Sequence, residues 1–416
     1  MNYRHKLVLI IISMIFVTYA VIGGLLHKVT AEEGSYSQLS IFNEVLSKIR
    51  SSYVEDPNLA LVMNGALRGL LESLDPYSTY LTPEEYAHFK KHKSNGSAGV
   101  GLELSKEPQL GLIFVIHPIA DGPADKAGIR AGDFIESIED VSTRDISIFQ
   151  AEYMMGGEPG SSIKFKIVRR SRTEPFEVSV KRELVKSPAV KATLLEGKIG
   201  YLHIYRFVAG TAEETRQKLQ TLMKGGAQRI ILDMRNCGGD EFEEGVKVAN
   251  LFLDHGIITY YQGQKFPKKV FVADPRQSIC KLPLAVLQNA GSTSAAEIVS
   301  AAIKENRRGE LVGLRSFGKA SIQKLIPLEG DSAILISVAK FYSQSGKVIQ
   351  KDGITPDHEV RNVADAALPD SEVSEEPDDN NHEPAPQSPQ PAPQEDLQLQ
   401  KAIEILSSPA QAQKAA

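Results

Sequence analysis

Cysteine is scarce. The 416-residue chain carries two, Cys237 and Cys280, far apart. Neither belongs to a pair at metal-ligand spacing, so a zinc ribbon or cysteine-held cluster is excluded, and no metal or cofactor is expected. The two read as free thiols or as one disulfide. A basic surface is also missing: the formal net charge is -5, and no stripe of Lys and Arg with interleaved aromatics occurs, which excludes a nucleic-acid-binding face. What remains is an ordinary globular balance of 42% apolar and 24% charged residues, over a length that calls for two or three domains.

One long run lacks charge altogether. Leu7 to Leu26, LVLIIISMIFVTYAVIGGLL, follows Arg4 and Lys6 and precedes His27 and Lys28. It is long enough to span a bilayer, and Val29-Thr30-Ala31 offers small residues for cleavage, so residues 1–34 read as a signal anchor or a signal peptide. In either case the basic flank stays in the cytoplasm and the remainder is exported. The expected location is the cell envelope, at a bacterial inner membrane with the globular part on its periplasmic or extracytoplasmic side.

Residues 35–96 follow a helical pattern, with apolar residues three and four apart in Ile41–Val54 and Leu59–Leu74. A restart follows at Thr82, with Pro83 in the first turn and Glu85 three residues after the cap. Residues 97–185 change character. Short β-like runs, LIFVIHP, DFIESIE and SIKFKIVR, surround GPADKAGIRAGD (Gly122 to Asp133). That string resembles the signature of PDZ domains. The resemblance makes Phe149 to Met155 the second PDZ helix, and Gly99, Val100, Gly101 and Leu102 the loop whose amides hold a peptide's terminal carboxylate. An exposed strand edge accepts an extended peptide, and a glycine loop can turn several amides onto one anion.

From Lys198 strands and helices alternate: IGYLHIYRF, GTAEETRQKLQTLMKGG, QRIILDM, GVKVANLFLDHG, PLAVLQN and AAEIVSAAIKENRR. This pattern predicts an α/β core with crossover connections over residues 186–361. Residues 362–416 turn Pro-, Glu- and Gln-rich, which predicts a disordered linker, and end in the short amphipathic LQLQKAIEIL. The fold class expected is α+β and multidomain: a helical N-terminal segment, a PDZ domain and an α/β core.

Within the core, GSTSAAEI sets Ser292, Thr293 and Ser294 at the start of a helix. A serine nucleophile needs a base. His203, His255 and His358 are the core histidines, and none sits beside an aspartate in an arrangement that marks a triad. Lysine serves instead where burial leaves a neutral amine near pH 7, and Lys319 in SFGKASIQ, among small and apolar residues, is a candidate.

The string QNAGSTSAAEIVSAAIKENRRGELVGLRSFGKASIQ resembles the signature of the carboxyl-terminal processing peptidases, the tail-specific Ser-Lys proteases of family S41. RIILDMRNCGG and KFYSQSGKVIQKDGITPDHEV resemble it too, and that family also places a PDZ domain between helices and an α/β core. The resemblance covers Tyr36 to Arg361 and the terminal LQLQKAIEIL. It implies Ser294 as nucleophile, Lys319 as general base and Gln323 as the residue orienting it, on a strand running from Lys319 to Gln323. It also implies an oxyanion hole made by the amide of Ala295 and that of Gly238 or Gly239.

Three departures accompany it. Asn236-Cys237-Gly238-Gly239-Asp240 stands where the family has Asn-Pro-Gly-Gly after its Arg-Asn, displacing the glycine pair and adding a carboxylate. GKA replaces GKG, and SAAEI replaces SASEI. The implied function is a serine endopeptidase that recognises exported proteins by free, apolar C-termini through its PDZ domain and cuts near that end. The partners are peptide substrates, the membrane through the N-terminal segment, and, in a homo-oligomer, further copies of the chain. The competing class, a catalytically silent PDZ receptor or scaffold, rests on the altered glycine turn alone.

Overall fold

The alternation in SIKFKIV, the run without polar residues in LAVL and the helical spacing in AAEIVSAAIKE each choose a place in the protein. A computed structural model describes residues 13–14, 17–18, 39–92, 98–184, 189–239, 241–362 and 395–408. The chain divides into two units, 1–67 and 68–416.

The first unit holds α1 (39–52) and most of α2 (Leu59–Glu72), the two predicted helices. The run Leu7–Leu26 lies almost wholly outside the described residues. Among the described residues no helix is long and apolar enough to cross a membrane.

The second unit starts within α2 and continues through a turn in which Asp75 Oδ1 accepts the amides of Tyr77 and Ser78, both at 2.9 Å. Strand β1 (Thr79–Leu81) leads into α3 (Pro83–His92). The expected capping box is present. The Glu85 amide donates to Thr82 Oγ1 at 3.3 Å, and the Thr82 amide to Glu85 Oε2 at 2.8 Å.

The β-rich region is a six-stranded sheet of β2 (Leu102–Lys106), β3 (Ile113–Pro118), β4 (Phe134–Ile138), β5 (Val141–Ser142), β6 (Ser162–Val168) and β7 (Phe176–Lys181), in the order β2-β3-β4-β6-β7 with β5 on β4. In β6, Ile163, Phe165 and Ile167 enter the core while Ser162, Lys164 and Lys166 face water, as period-two alternation requires. Two helices complete it: α4 (Pro123–Lys126) in the GPADKAG string and α5 (Ile148–Met155), capped by Ser147 and Gln150. Helix α3 meets α5 through Phe89 on Phe149 and His88 on Tyr153.

The core sheet comprises β8 (Val190–Leu195), β9 (Ile199–Ile204), β10 (Arg229–Asp233), β13 (Leu284–Gln288), β14 (Glu310–Gly313) and β17 (His358–Glu359), in the order β17-β14-β13-β10-β9-β8. All but β8 pair in parallel, joined through α6 (Thr211–Lys224), α7 (Phe242–Phe252) and α8 (Ala295–Glu305). Strand β13 is buried throughout, because helices cover both faces of its sheet. The second core sheet runs β1-β16-β11-β12 with β15 on β16, using β11 (Ile257–Gln262), β12 (Lys269–Val272), β15 (Ser321–Pro327) and β16 (Ala333–Tyr342). After Asn362 the chain is described again from Glu395, where α9 (Leu397–Ser407) begins. Both cysteines are buried free thiols, which settles the disulfide alternative.

Candidate active site

Strands β10 and β13 are adjacent and parallel, so their C-terminal ends open on the same edge of the sheet. Two loops leave there: Met234–Gly239 after β10, and Asn289–Thr293 before α8. They are stitched together. The Asn236 amide donates to Asn289 Oδ1 (2.9 Å), Asn289 Nδ2 to Asn236 Oδ1 (3.0 Å), and the Thr293 amide to the Cys237 carbonyl (2.8 Å).

This geometry separates the three hydroxyls. Ser292 Oγ donates to the Met234 carbonyl at 2.7 Å and accepts from the Asn289 amide at 3.0 Å, so it braces the loops. Thr293 is fully buried, and its Oγ1 has no hydrogen-bond partner among the described residues. Ser294 stands at the N-cap of α8 with φ +51° and ψ -113°, a backbone strained for a residue with a side chain. Strain of that kind accumulates at working sites. Behind it the Ala295 amide opens the helix, where no carbonyl one turn earlier is available to pair with it.

Glu297, which the sequence reading passed over, joins this helix start to the loop carrying Lys319. Its Oε2 accepts the Ser294 amide at 3.0 Å and the Lys319 amide at 2.9 Å. Its Oε1 accepts Ser316 Oγ at 2.7 Å and the Gly318 amide at 2.6 Å. The side chain is completely buried, and burial pushes its carboxyl up to about 7 against these four donors. One carboxylate oxygen thus holds the backbones of both Ser294 and Lys319.

The expected strand from Lys319 to Gln323 is not formed. Strand β15 begins at Ser321, because the amides before it are taken by side chains: Gly318 and Lys319 by Glu297, and Ala320 by Gln350 Oε1 at 2.6 Å. A register shift between Ile322 and Gln323 removes the shared-face argument as well. In this arrangement Gln323 Nε2 donates to the Tyr77 carbonyl at 2.6 Å, while the Lys319 amine stands 5.2 Å from the centre of the Tyr77 ring. Burial raises the Tyr77 phenol to about 12, so the ring stays neutral beneath the cation.

The Lys319 amine donates to Glu103 Oε1 at 2.5 Å. Glu103 comes from β2 of the PDZ-like region, opposite His117 of β3. Burial alone would raise its carboxyl, but the Lys319 ammonium beside it holds it below the usual range. His117 is buried, its Nδ1 lies 3.1 Å from the Pro118 carbonyl, and its Nε2 has no hydrogen-bond partner among the described residues. Burial depresses its pKa, which favours the neutral ring. These two side chains reach the glycine turn: a Cβ on Gly238 would stand 2.7 Å from Thr293 Oγ1, 3.4 Å from His117 Nε2 and 3.5 Å from Glu103 Cδ.

Gly239 has φ +123°, and a Cβ there would lie 2.3 Å from the Phe207 carbonyl oxygen, so this position admits only glycine. Asp240 lies outside the described residues. Cys237 is completely buried, and burial raises its thiol well above the ordinary value, which disfavours the thiolate. The core histidines stand elsewhere: His203 stacks on Tyr205, His255 pairs with Asp254 on an exposed turn, and His358 faces Glu310. Among the described residues no hydrogen bond joins any of them to Ser294.

In the loop before β2, the Gly99 amide donates to the Glu183 carbonyl at 3.0 Å. Gly101 adopts φ +74°, in the left-handed region that favours glycine. Leu104 is buried among the residues of this domain's core, and Leu102 packs against them.

A PDZ-domain model matches residues 96–180, and the model of peptidase family S41 matches residues 198–360. A carboxy-terminal-processing protease of Bartonella bacilliformis is 34% identical over 78% of this chain and 76% of its own length. The chain belongs to peptidase family S41. The CtpA carboxy-terminal processing protease of Bacillus subtilis is 31% identical over 77% of this chain and 68% of its own. A solved photosystem II D1 C-terminal processing protease superposes with a TM-score of 0.66 at 28% identity, covering 76% of this chain and 85% of that one. This S41 peptidase is therefore a serine-type C-terminal processing protease with a PDZ domain ahead of an α/β core, which sets aside the silent scaffold.

Proposed function

We propose that the peptidase cuts by a Ser-Lys mechanism and selects substrates by their free C-termini through the PDZ domain. The observation that carries the first part is the Glu297 carboxylate, which accepts the backbone amides of both Ser294 and Lys319. Ser294 Oγ attacks the scissile carbonyl and gives its proton to the Lys319 amine. The new C–O bond leaves an oxyanion facing the Ala295 amide and a glycine amide of the Gly238-Gly239 turn. As the C–N bond breaks, Lys319 returns the proton to the leaving amine, and water then hydrolyses the acyl-serine. The Tyr77 ring, its centre 5.2 Å from the amine, borders the space in which the amine moves, and Gln323 holds the Tyr77 carbonyl.

An amine ion-paired to Glu103 is an ammonium and has no lone pair with which to take a proton. Departure from Glu103 and loss of the ammonium proton to solvent, which leaves the neutral amine, therefore precede catalysis. Glu103 lies on β2, the strand that receives a peptide when a PDZ sheet is extended by one strand. The free carboxylate of that peptide meets the loop Gly99–Leu102, and an apolar last side chain meets the region of Leu102 and α5. The charge-free run Leu7–Leu26 supports an envelope location for this activity, with the globular part outside the cytoplasm.

Hydrolysis of casein and of a tail peptide by the peptidase and by its Ser294→Ala variant tests this reading. Ser294→Ala is expected to abolish both, and undiminished cleavage by that variant would end it.

A further inference from the structure

Helix α9 follows a long stretch outside the described residues, yet it lies directly behind the active site. Ala402 and Leu406 pack on Ile231, Leu287 and Val312. These belong to β10, β13 and β14, and the ends of β10 and β13 carry the glycine turn and the loop to Ser294. Apolar packing would suffice to hold such a helix, but its first turn also makes a charged contact. Asp396, the N-cap, accepts the Leu399 amide at 3.1 Å and grips Arg235 with both oxygens, Nη1 at 2.9 Å and Nη2 at 2.8 Å. Gln398 Oε1 accepts a further bond from Nη1 at 3.1 Å.

On its other side Arg235 meets the fully buried Asp233, with Nε at 3.0 Å from Oδ1 and Nη2 at 2.6 Å from Oδ2. Tyr201 fixes Asp233 in turn, its hydroxyl donating at 2.6 Å. Burial would raise both carboxyls, but Arg235 holds both below their ordinary range. The guanidinium is thus clamped between its own strand and a residue 161 positions later. The chain is tied at the same place, since the Leu397 amide donates to Asn362 Oδ1 at 3.0 Å and Gln398 Nε2 to the Val360 carbonyl at 2.9 Å.

Arg235 is the residue just before the strained turn, in which Asn236 has φ +48° and Gly239 φ +123°. We propose that α9 is a working part of the active site, in which Asp396 positions Arg235 and, through it, the Asn236–Gly239 turn that presents the second oxyanion donor. A bidentate carboxylate–guanidinium pair fixes direction as well as distance, which a greasy contact does not. An oxyanion donor gains its effect only when preset to within a fraction of an ångström of the developing charge. The role rests on the Ser-Lys reading given above. Asp396 acts through Arg235 and is a positioning residue.

The test uses the full chain and a peptide substrate, with Ser294→Ala as reference. Asp396→Ala is expected to lower kcat about 10- to 100-fold with KM changed by less than about threefold, the pattern of lost transition-state placement. A peptide aldehyde, which forms a tetrahedral adduct on serine, should weaken in parallel. Asp396→Glu should restore most of kcat, and Lys401→Ala, on the outer face of the same helix against Glu404, should change nothing. Should Asp396→Ala fail to fold, Asp396→Asn carries the same measurement with its shape retained. Normal kcat and normal aldehyde affinity in the Asp396 variant, beside an inactive Ser294→Ala, would overturn the role of α9 alone. An active Ser294→Ala would overturn the underlying reading first. A loss of kcat without loss of aldehyde affinity would also count against the proposal, since it would reflect general loosening.

Discussion

Lys319 Nζ stands 2.5 Å from Glu103 Oε1, an ion pair that links the peptidase core to strand β2 of the PDZ domain. Both side chains are mostly enclosed, so solvent screens the pair less than a surface bridge. Because the carboxylate stabilises the ammonium, it opposes the proposed step in which the amine takes a proton. In the mechanism proposed above, substrate entering beside β2 competes for the same strand.

Glu103→Gln should therefore raise the cleavage of short substrates that do not engage the PDZ domain, by about tenfold if the pair contributes ~1.4 kcal/mol to the resting state. The gain should shrink for substrates with a free tail, which already displace Glu103. The measurement is kcat/KM for both substrate types in parent and variant. An equal loss of activity on both would show that Glu103 supports catalysis and does not restrain it.

The three hydroxyls make distinct predictions. Ser294→Ala should remove hydrolysis by several orders of magnitude, as loss of a nucleophile does, and Lys319→Ala should follow it. Ser292→Ala should instead cost stability, about 1–3 kcal/mol, because the buried Met234 carbonyl and Asn289 amide both lose their partner. Denaturant unfolding and steady-state kinetics on the same samples separate these effects. Normal stability with abolished turnover in Ser292→Ala would move the nucleophile to Ser292.

Much of this was legible in the chain. Period-two alternation marked β6, and the helical and β-like alternation marked the parallel core. The Ser294–Lys319 pair came with strings of several residues on either side. Glu103 and His117 were not legible: His117 sits in the short β-like run LIFVIHP, which reads as sheet alone, and Glu103 lies 216 residues from its partner. The lysine strand was misread because side-chain acceptors, Glu297 and Gln350, replace the ladder before Ser321. Glu297 itself looked like an ordinary acidic residue in the first turn of a helix. Asp396 was hidden for the same reason as Glu103: a cap and an ion pair formed across the fold leave no local pattern.

Glu297 gives a signed pH dependence. Its carboxyl titrates near 7 in the folded protein against an ordinary value of 4.5, so between these pH values the folded chain keeps a proton that the unfolded chain releases. Stability from this group is therefore full below pH 4.5 and declines as pH rises toward 7, by about 3 kcal/mol at ~1.4 kcal/mol per pH unit. Glu297→Gln does not titrate. The stability difference between parent and Glu297→Gln, measured by urea unfolding, should accordingly shrink from pH 5 to pH 7.5. A difference that grew with pH would mean that the four donors outweigh burial and that the carboxylate is the stable form.

In the loop before β2, the Val100 carbonyl accepts the Ala124 amide at 2.9 Å and the Gly101 carbonyl accepts the Ile119 amide at 2.9 Å. In a trans peptide the N–H points opposite to the C=O, so the amides of Gly101 and Leu102 are turned away from those internal partners. The Gly99 amide is already given to Glu183. Amides turned away from internal partners suit a carboxylate and repel an amidated end, which brings a donor against donors. A peptide ending in free Ala or Val should be cut with a higher kcat/KM than its amidated twin, with most of the difference in KM. Gly101→Val should erase that preference, because φ +74° is closed to a β-branched residue and the loop must reshape. Reaction of Ser294 with a small acylating agent should be unchanged in this variant, which distinguishes lost tail recognition from a damaged core. Equal cleavage of free and amidated peptides by the parent below KM would remove tail reading and leave a Ser-Lys protease of general reach.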